Sequence, residues 1–287
     1  DVSALSWSQG TRDRASSIRG PPLDSFTSDR TGAGARTRPR ADRLAPRAWA
    51  ELAVAGLEGP ESSGLAKLVF LSDGGDLANE IVLLDRRGDS VQQVAPLADG
   101  TIAVLGARLE ERIVGGARRN AAGLWLAKVN PSGEEMWRVA ESGLGFANGL
   151  GLAEAGGDLF VSGKTSPDGE AATYRTMMLR VSGEGRKVWA KWDYDQGPST
   201  GRGLAASADG TPRLYLAGWN GSPPRSRIMQ IGPDGSAVWQ QGEVAKQGYG
   251  DVAADLALAA DGSAWSVGLA LPDAGNIELT IASFTAG

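Results

Sequence analysis

The stretch "WLAKVNPSGEEMW" at residues 125–137 occurs three times in this chain. It returns as "MMLRVSGEGRKVW" at residues 177–189 and as "RIMQIGPDGSAVW" at residues 227–239. In each copy an alternating apolar stretch leads into a turn that ends in Gly, and Trp follows four residues later. The turn glycines, Gly133, Gly185 and Gly235, are 52 and 50 residues apart. Because alternation with a period of two predicts β-strands, the chain contains a repeated strand–turn–strand unit.

A second phrase recurs along the chain at about the same spacing as the first. "VAPLADGTIAVLG" at residues 94–106 has three relatives further along, and "LAPRAWAELAVAG" at residues 44–56 overlays on it without a gap. An Asp-Gly pair between two alternating apolar stretches predicts a hairpin, since Gly tolerates the positive φ of a tight turn. Each unit therefore has four short strands. The five copies of this phrase end at Gly56, Gly106, Gly163, Gly218 and Gly268.

Four antiparallel strands repeated about every 50 residues are the signature of β-propeller blades. We predict an all-β fold, a five-bladed β-propeller of four-stranded antiparallel blades. The last unit lacks its Trp strand, whereas residues 2–9 form a strand with Trp7 and no partner before it. The N-terminal strand is therefore predicted to pair with residues 276–284, to complete the last blade and to close the ring.

The repeats divide the chain as one propeller domain over residues 1–287. Residues 1–9 are the closing strand, and residues 10–40 are an Arg-rich loop insertion. The blades are predicted at about 41–84, 89–141, 148–193, 201–242, and 249–287 together with 2–9. Blade one departs from the repeat because its outer strand carries no Trp.

The Gly with a Trp four residues later resembles the blades of secreted bacterial β-propeller repeat proteins. It is also similar, more distantly, to the tryptophan-docking repeats of quinoprotein-type propellers. The resemblance covers nearly the whole chain except residues 10–40. It implies that Trp7, Trp137, Trp189 and Trp239 pack between neighbouring blades as docking residues. It also implies a bacterial protein that is periplasmic or extracellular, and it says little about activity because propellers host unrelated functions.

Composition excludes several kinds of chemistry. The chain has no Cys and no His, so disulfides, thiolate metal sites, a Ser-His-Asp triad and an imidazole base are ruled out. Quinoprotein enzymes use eight blades, and no cofactor is expected here. No apolar run approaches the ~18 residues that a membrane span needs, so no membrane span is predicted.

The charge of the chain is unevenly distributed. Residues 1–47 carry nine Arg and five Asp, a net charge of +4, so the total of −5 leaves −9 for residues 48–287. An acidic domain of this kind does not predict nucleic-acid binding. The basic segment from Arg30 to Arg43 is either a flexible solvated loop or a contact for an acidic partner.

Ligands of propellers usually bind at the mouth of the channel, near the start of each blade's inner strand. The inner strands align on Leu44, Val94, Leu150, Leu204 and Leu256, and the residues just before these differ between blades. That variety predicts a polar ligand pocket, with a merely water-filled channel as the alternative. Trp219, after Gly218, either stacks on a sugar or anchors a loop. The ligand-binding candidates are Gln92, Asn148, Arg202, Trp219, Tyr249, Asp251 and Asp255.

The sequence partly matches two further kinds of site, a glycosidase carboxyl pair and a calcium loop. Some five-bladed propellers are glycosidases, which need two carboxyl groups roughly 5–10 Å apart, and Asp89, Asp251 and Asp255 are the candidates here. The sequence "DYDQG" at residues 193–197 begins like a calcium loop with Asp193 and Asp195, but the later acidic ligand is missing. A solvated turn is the alternative for that segment.

The sequence contains no paired catalytic signature, so it leaves open whether the protein is an enzyme and favours a non-catalytic role. The expected function is a binding or scaffolding propeller that presents a surface to a protein or glycan partner at the channel mouth. Two alternatives stay open. One is a carbohydrate-active enzyme, a glycoside hydrolase that uses the inner-strand Asp residues. The other is a structural subunit of a larger assembly.

Overall fold

A computed structural model gives the fold as a succession of β-strands. It describes residues 7–8, 53–58, 65–71, 77–84, 89–114, 117–130, 132–167, 173–192, 194, 197–207, 214–221, 225–242, 250–259, 263–271 and 278–284. The strands are β1 (Trp7–Ser8), β2 (Ala53–Glu58), β3 (Leu65–Leu71), β4 (Leu77–Leu84), β5 (Asp89–Pro96), β6 (Ile102–Val114), β7 (Ala117–Val129), β8 (Glu135–Glu141), β9 (Phe146–Ala155), β10 (Asp158–Ser166), β11 (Arg175–Val181), β12 (Lys187–Lys191), β13 (Ser199–Ala206), β14 (Leu214–Asn220), β15 (Arg225–Ile231), β16 (Ala237–Gly242), β17 (Gly250–Leu258), β18 (Ala264–Leu271) and β19 (Glu278–Phe284).

The strands form antiparallel sheets that follow one another along the chain. Sheet I contains β2–β4, sheet II β5–β8, sheet III β9–β12 and sheet IV β13–β16, while sheet V contains β17–β19 and β1. In the last of these, Trp7 lies opposite Leu279 and Ser8 opposite Glu278. A nearly all-β chain that forms four-stranded antiparallel sheets has a propeller-type fold. None of the described residues forms a helix long and apolar enough to cross a bilayer.

Neighbouring sheets share hydrophobic cores, and the alternation of each strand decides which core a residue joins. In β10, Leu159 and Val161 pack against sheet II, where Leu105 and Leu126 lie in the same cluster. Phe160, between them, packs instead against Leu214 and other residues of sheet IV. Sheet IV and sheet V share a third cluster. Sheets III and IV are thus buried on both faces by their neighbours, which explains why apolar residues occupy successive positions of their strands.

The turn glycines that the repeat predicted have a common geometry. Gly133, Gly185 and Gly235 have φ of +90°, +81° and +80°, which L-residues with a side chain rarely adopt. In each turn the Gly N–H donates to the carbonyl three residues before it, at 2.9, 2.8 and 2.9 Å. The conformation therefore requires Gly, and this requirement explains the fixed place of Gly in all three copies.

The indoles of two sheets bond to the turn of the sheet that follows. Trp137 of sheet II donates its Nε1–H to the carbonyl of Gly183 in sheet III at 3.0 Å. Trp189 of sheet III donates to the carbonyl of Pro233 in sheet IV at 3.1 Å. Both rings also cover the turn Gly of that next sheet, so closely that a Cβ on Gly185 would lie 2.6 Å from the Trp137 ring. The side chains of Trp7 and Trp239 lie outside the described residues.

A cation beside each indole reinforces the same contact. The Lys128 ammonium lies 2.6 Å from the Asp99 carboxylate of its own sheet and 3.5 Å from the Gly183 carbonyl. The Arg180 guanidinium lies 2.6 Å from Asp158 of its own sheet and donates to the Pro233 carbonyl at 2.7 Å. Indole and cation therefore share one carbonyl of the next sheet, and they join that turn to a hairpin of their own sheet.

Parts of the predicted organisation fall elsewhere. Strands β6 and β7 form a hairpin of 13-residue strands, longer than the repeat predicts, and it extends sheet II beyond Gly106. The predicted inner strand of blade one around Leu44, the insertion at residues 10–40 and the segment from Arg30 to Arg43 lie outside the described residues.

Replacing Trp189 by Phe should lower the free energy of unfolding by about 1–2 kcal/mol, because Phe keeps the ring and loses the N–H that bonds to Pro233. Urea unfolding of the purified protein measures this difference. Val188→Ala is the control, since Val188 is exposed on the same strand and its loss should change stability little. Equal effects of the two substitutions would contradict the role of the indole bond.

Asp99 should make stability depend on pH in acid. Its hydrogen bonds from Lys128 and Thr101 lower its pKa from 3.8 to about 2. A carboxylate with a lowered folded-state pKa stabilises the fold above its unfolded-state pKa, and that contribution is lost as pH falls through the folded-state value. Asp99→Asn should therefore flatten the fall in stability between about pH 4 and pH 2. Parallel unfolding curves of the two proteins across that range would contradict this.

Candidate functional site

The first strand of each of sheets II to V contains one extra residue opposite the strand-ending Gly. The register shifts lie between Val91 and Gln93 in β5, at Gly149 to Gly151 in β9, between Gly201 and Leu204 in β13, and between Ala253 and Asp255 in β17. At such a β-bulge the two backbones approach closely. A Cβ on Gly163 would lie 2.0 Å from the carbonyl oxygen of Asn148, and one on Gly218 would lie 2.1 Å from that of Thr200. The bulge thus explains why the second repeated phrase ends in Gly in sheets II to V.

The bulges also correct the sequence alignment of blade three. Leu152 lies opposite Val161, two residues before Gly163, as Leu204 lies opposite Leu216, two residues before Gly218. Leu152, and not Leu150, is therefore the counterpart of Leu204. The sequence "GLGLAE" offers both leucines at alternate positions, and pairing with β10 selects the second. Asn148 consequently corresponds to Ser90 and Thr200, whereas Arg202 corresponds to the bulge positions of the other first strands.

Three polar side chains form a row across sheet III near the end where β9 begins. Lys164 of β10 lies directly opposite Asn148 of β9 and Thr176 of β11. Directly opposed residues share one face of a sheet, with Cβ atoms about 4.5–5.5 Å apart. The same row in the other sheets is less polar, and among these four rows only that of sheet III carries a charge. The other rows are Ser90–Ala107–Leu124, Thr200–Trp219–Ser226 and Val252–Leu269–Leu279.

The row of sheet III faces sheet IV, which contributes two arginines to it. Ser162, two residues before Lys164 on the same face, donates to the carbonyl of Arg202 at 2.9 Å. Buried Arg227 donates to Thr176 Oγ1 at 2.8 Å, and the N–H of Thr176 donates to the Ser199 hydroxyl. These bonds hold the two sheets together around Lys164. We call Asn148, Lys164, Tyr174, Thr176 and Arg202 the sheet III–IV cluster.

Aromatic rings complete the cluster on its outer side. The Lys164 ammonium lies 4.0 Å from the centre of the Tyr174 ring, and Phe146 stacks on Tyr174 with ring centres 5.9 Å apart. A cation over a ring face is stabilised by the ring quadrupole. Both rings and Lys164 are partly buried, so the cluster is sheltered and stays within reach of solvent.

Buried polar atoms without partners concentrate on the first strands. Such an atom costs about 1–3 kcal/mol, and native structures contain few of them. Four of the five found among the described residues belong to β5, β9 and β13, and the fifth is Trp125 Nε1. The four are Gln93 Oε1, Asn148 Oδ1, Thr200 Oγ1 and Arg202 Nε.

The electrostatics of the cluster lower the pKa of Lys164. Burial of the ammonium is the larger cause, and the positive charge of Arg202 is the second. Each disfavours the charged form of an amine. Lys164 is consequently neutral over more of the pH range than an exposed lysine, and a site with two cations favours an anionic ligand.

The predicted ligand-binding residues do not converge as one group. Asn148 and Arg202 lie on the neighbouring strands β9 and β13, in the cluster. Gln92 is the exposed bulge residue of β5, and Trp219 lies opposite Thr200 in the row of sheet IV. Asp255 is exposed, and its carboxylate accepts the N–H of Leu256. Tyr249, Asp193, Asp195 and the side chains of Asp89 and Asp251 lie outside the described residues.

Sequence reasoning missed Lys164, Tyr174, Thr176, Thr200 and Gln93. A signal for Lys164 was present, because Lys follows Gly163 where the other sheets have Leu57, Ala107, Trp219 and Leu269. The contact of Tyr174 with Lys164 joins a residue before β11 to the end of β10, which no spacing predicts. Within the part of the chain that the structure describes, no three acidic side chains are grouped as a metal site would require.

A scan against protein-family models and a search of curated protein sequences gave no match. The resemblance to secreted propeller repeats and to tryptophan-docking repeats is therefore not supported by a family match.

Solved structures resemble the fold at low identity. Polysaccharide lyase Uly1 is 14% identical with a TM-score of 0.50, over 80% of this chain and 55% of that chain. A gluconolactonase from Xanthomonas campestris is 14% identical with a TM-score of 0.44, over 80% and 68%. An exo-β-1,3-galactanase from Phanerochaete chrysosporium is 11% identical with a TM-score of 0.41, over 79% and 59%.

Likeness at such identity concerns the fold alone. The expectation of a non-catalytic binding or scaffolding protein is contradicted by the comparison with Uly1, which reaches a TM-score of 0.50 and is a polysaccharide lyase. The absence of a paired catalytic signature in the sequence therefore does not exclude an enzyme.

Proposed function

We propose that the chain is a closed five-bladed propeller and a carbohydrate-active enzyme. Its substrate carries a carboxylate, which binds at the sheet III–IV cluster. The observation that carries the proposal is the proximity of two cations, Lys164 and Arg202, together with the buried Arg202 Nε donor, which has no partner among the described residues.

The exposed face of sheet V supports ring closure. Ala253, Leu256 and Ala264 of this sheet pack against sheet IV. The opposite face is apolar and exposed, with Trp265, Leu269, Leu279 and Ile281 between 38% and 46% accessible. An apolar face of this kind requires a cover. Sheet I fits that place, because it follows β1 along the chain and its β2 packs against β5 of sheet II.

The unpaired atoms of the first strands support a catalytic role. Folding leaves Asn148 Oδ1 and Arg202 Nε buried without a partner among the described residues, which lowers stability. A local loss of stability of this kind is expected at functional sites, where polar groups are prearranged for a ligand. Asn148, Thr200 and Arg202 lie on consecutive first strands, which is where a propeller presents its channel mouth.

Charge and aromatic rings support a carbohydrate with an acidic group. Lys164 and Arg202 favour an anion, and a guanidinium matches the geometry of a carboxylate. Tyr174 and Phe146 provide ring faces beside the cations, and Trp219 lies in the equivalent row of sheet IV. Uly1, the polysaccharide lyase among the similar structures, agrees with a polysaccharide substrate.

The glycoside-hydrolase mechanism with inner-strand Asp residues has less support. Asp255 is exposed and bonded to its own backbone neighbour, and no described side chain forms the second carboxyl of a pair with it. A periplasmic or extracellular location, as the sequence suggested, fits a polysaccharide substrate, and we propose it on that ground.

Ring closure predicts that removal of residues 1–8 will lower the midpoint of thermal unfolding strongly, because the truncation exposes the edge of β19 and removes Trp7. Calorimetry of the full chain and of the truncated chain measures the loss. Trp7→Phe is the matched control, since it retains the strand. An unchanged midpoint in the truncated chain would contradict closure by the N-terminal strand.

Substrate binding predicts that Arg202→Ala will weaken affinity for acidic polysaccharides at least tenfold, the loss of about 1.4 kcal/mol from one charge-assisted bond. Electrophoretic retardation in gels that contain acidic or neutral polysaccharides measures affinity, and release of reducing ends measures turnover. Arg186→Ala is the control, because Arg186 is exposed on the β11–β12 turn. Equal retardation of both variants, or a preference for neutral polymers, would reject the site.

A further inference from the structure

We infer that sheet II contains a second anion-binding site, at which Trp125, Arg108 and Arg138 bind a carboxylate or phosphate group. This site is separate from the sheet III–IV cluster, since no member of that cluster belongs to its described lining. The inference goes beyond the proposed function and does not depend on it.

Trp125 lies on the face of sheet II that is turned away from sheet III. Its neighbours along β7, Leu124 and Leu126, belong to the hydrophobic core shared with sheet III. Because successive residues of a strand point to opposite faces of the sheet, the indole lies on the other face. In the ladder Trp125 is opposite Gly106 of β6 and Ala140 of β8. A Cβ on Gly106 would lie 2.1 Å from the indole ring, so Gly at this position makes room for the ring against β6.

A small cavity opens beside this indole, where β6 and β7 begin their extension beyond the rest of the sheet. Its volume is about 100 Å³, which admits several water-sized groups and is therefore enough for a carboxylate or a phosphate. The polar and aromatic residues of its described lining are Arg108, Trp125, Arg138, Glu141 and Ser142.

The indole N–H of Trp125 is the group in this lining that calls for a ligand. Trp125 is 2% exposed, and its Nε1 is buried with no partner among the described residues. Trp137 and Trp189, in contrast, donate to backbone carbonyls at 3.0 and 3.1 Å. An indole nitrogen can only donate a hydrogen bond, and a buried donor without an acceptor lowers stability. The ligand that suits the cavity therefore supplies an acceptor oxygen.

Two guanidinium groups make an anionic acceptor the favoured one. Arg138 Cζ lies 4.8 Å from the centre of the Trp125 ring, and an ion pair with Glu135 holds the same guanidinium. A cation over an indole face is stabilised by the ring quadrupole, so Arg138 is positioned before a ligand arrives. Arg108, opposite Gly123 in the ladder, lines the same cavity. The planar fork of a guanidinium matches the oxygens of a carboxylate or a phosphate.

The carboxylate in the described lining does not oppose an anion, because its charge is compensated. One oxygen of Glu141 accepts the N–H groups of Ser142 and Gly143 at 2.9 and 2.8 Å, and the other accepts the Lys187 ammonium at 2.8 Å. The sequence of the extended hairpin adds positive charge, since residues 108–119 include four Arg and two Glu. A local excess of positive charge attracts anions to the cavity.

The test is a titration of the full chain followed through its indole N–H resonances in nitrogen–proton correlation spectra. The resonance of Trp125 is the one that Trp125→Phe lacks. Inorganic phosphate and glucuronate are added separately, with sodium chloride at matched ionic strength as the reference. At least one oxyanion should shift the Trp125 resonance to saturation, whereas Trp137 and Trp189, which are already bonded, should not move. The anion that saturates at the lower concentration identifies the group as phosphate or carboxylate.

A second measurement needs no variant. The same anion should raise the midpoint of thermal unfolding of the unaltered protein above its value in sodium chloride, because a ligand that binds only the folded state stabilises it. Arg138→Gln should weaken the affinity for that anion by about tenfold or more, as the loss of a charge-assisted hydrogen bond predicts. Arg186→Gln is the matched control, since Arg186 is exposed on the β11–β12 turn.

The outcomes separate this site from the proposed function. Equal shifts in oxyanion and chloride, no shift of Trp125, or equal weakening by Arg138→Gln and Arg186→Gln would overturn the inference. Arg202→Ala should leave the Trp125 titration unchanged, and loss of the shift in that variant would contradict a separate site. A saturable Trp125 shift in a protein that binds no polysaccharide would overturn the proposed function alone.

Discussion

The structure depends above all on a backbone carbonyl that an indole N–H and a cation of the neighbouring sheet share as hydrogen-bond acceptor. The indole N–H of Trp137 and the ammonium of Lys128 both point to the carbonyl of Gly183, and Trp189 with Arg180 repeats this at Pro233. Sheets that pack only through apolar side chains can slide on one another, whereas directional bonds fix the angle and height at which the next sheet begins. Each repeat of this contact fixes the position of one sheet relative to the sheet before it.

This constraint acts at one end of the strands and leaves the side chains at the other end free to vary. The Gly turns join the third and fourth strands of a sheet, and they lie at the end where its first and second strands are also joined. The indole bonds and the pairs Lys128–Asp99 and Arg180–Asp158 lie at this same end. The sheet III–IV cluster lies at the opposite end, beyond the bulges. Because the backbone is held by the turns and the glycines, side chains near the mouth can differ from sheet to sheet without loss of the fold. Asn148 and Lys164 occupy places that hold Ser90 and Ala107 in sheet II.

Much of the fold could be predicted from the repeats, because Gly at a positive φ and Trp four residues later are local requirements that leave a mark in each copy. The site could be predicted only in part. Asn148 and Arg202 were identified from their nearness to the first strands, but the alignment that linked them was wrong at Leu150, since an extra residue in a bulge is invisible to apolar periodicity. The sequence did not single out Lys164, because its electrostatic surroundings depend on Arg202, which belongs to another repeat.

The sequence by itself determined the strand order, the four-stranded repeat and the positions where only Gly is tolerated, because these depend on neighbours a few residues away. Tertiary structure alone decided which faces meet. It brought Lys164 and Arg202 together although 38 residues separate them in the sequence. It also left Asn148 and Arg202 with buried atoms that have no partner among the described residues. Desolvation and like-charge proximity are properties of the packed sheets, so the lowered pKa of Lys164 exists only once sheets III and IV lie side by side.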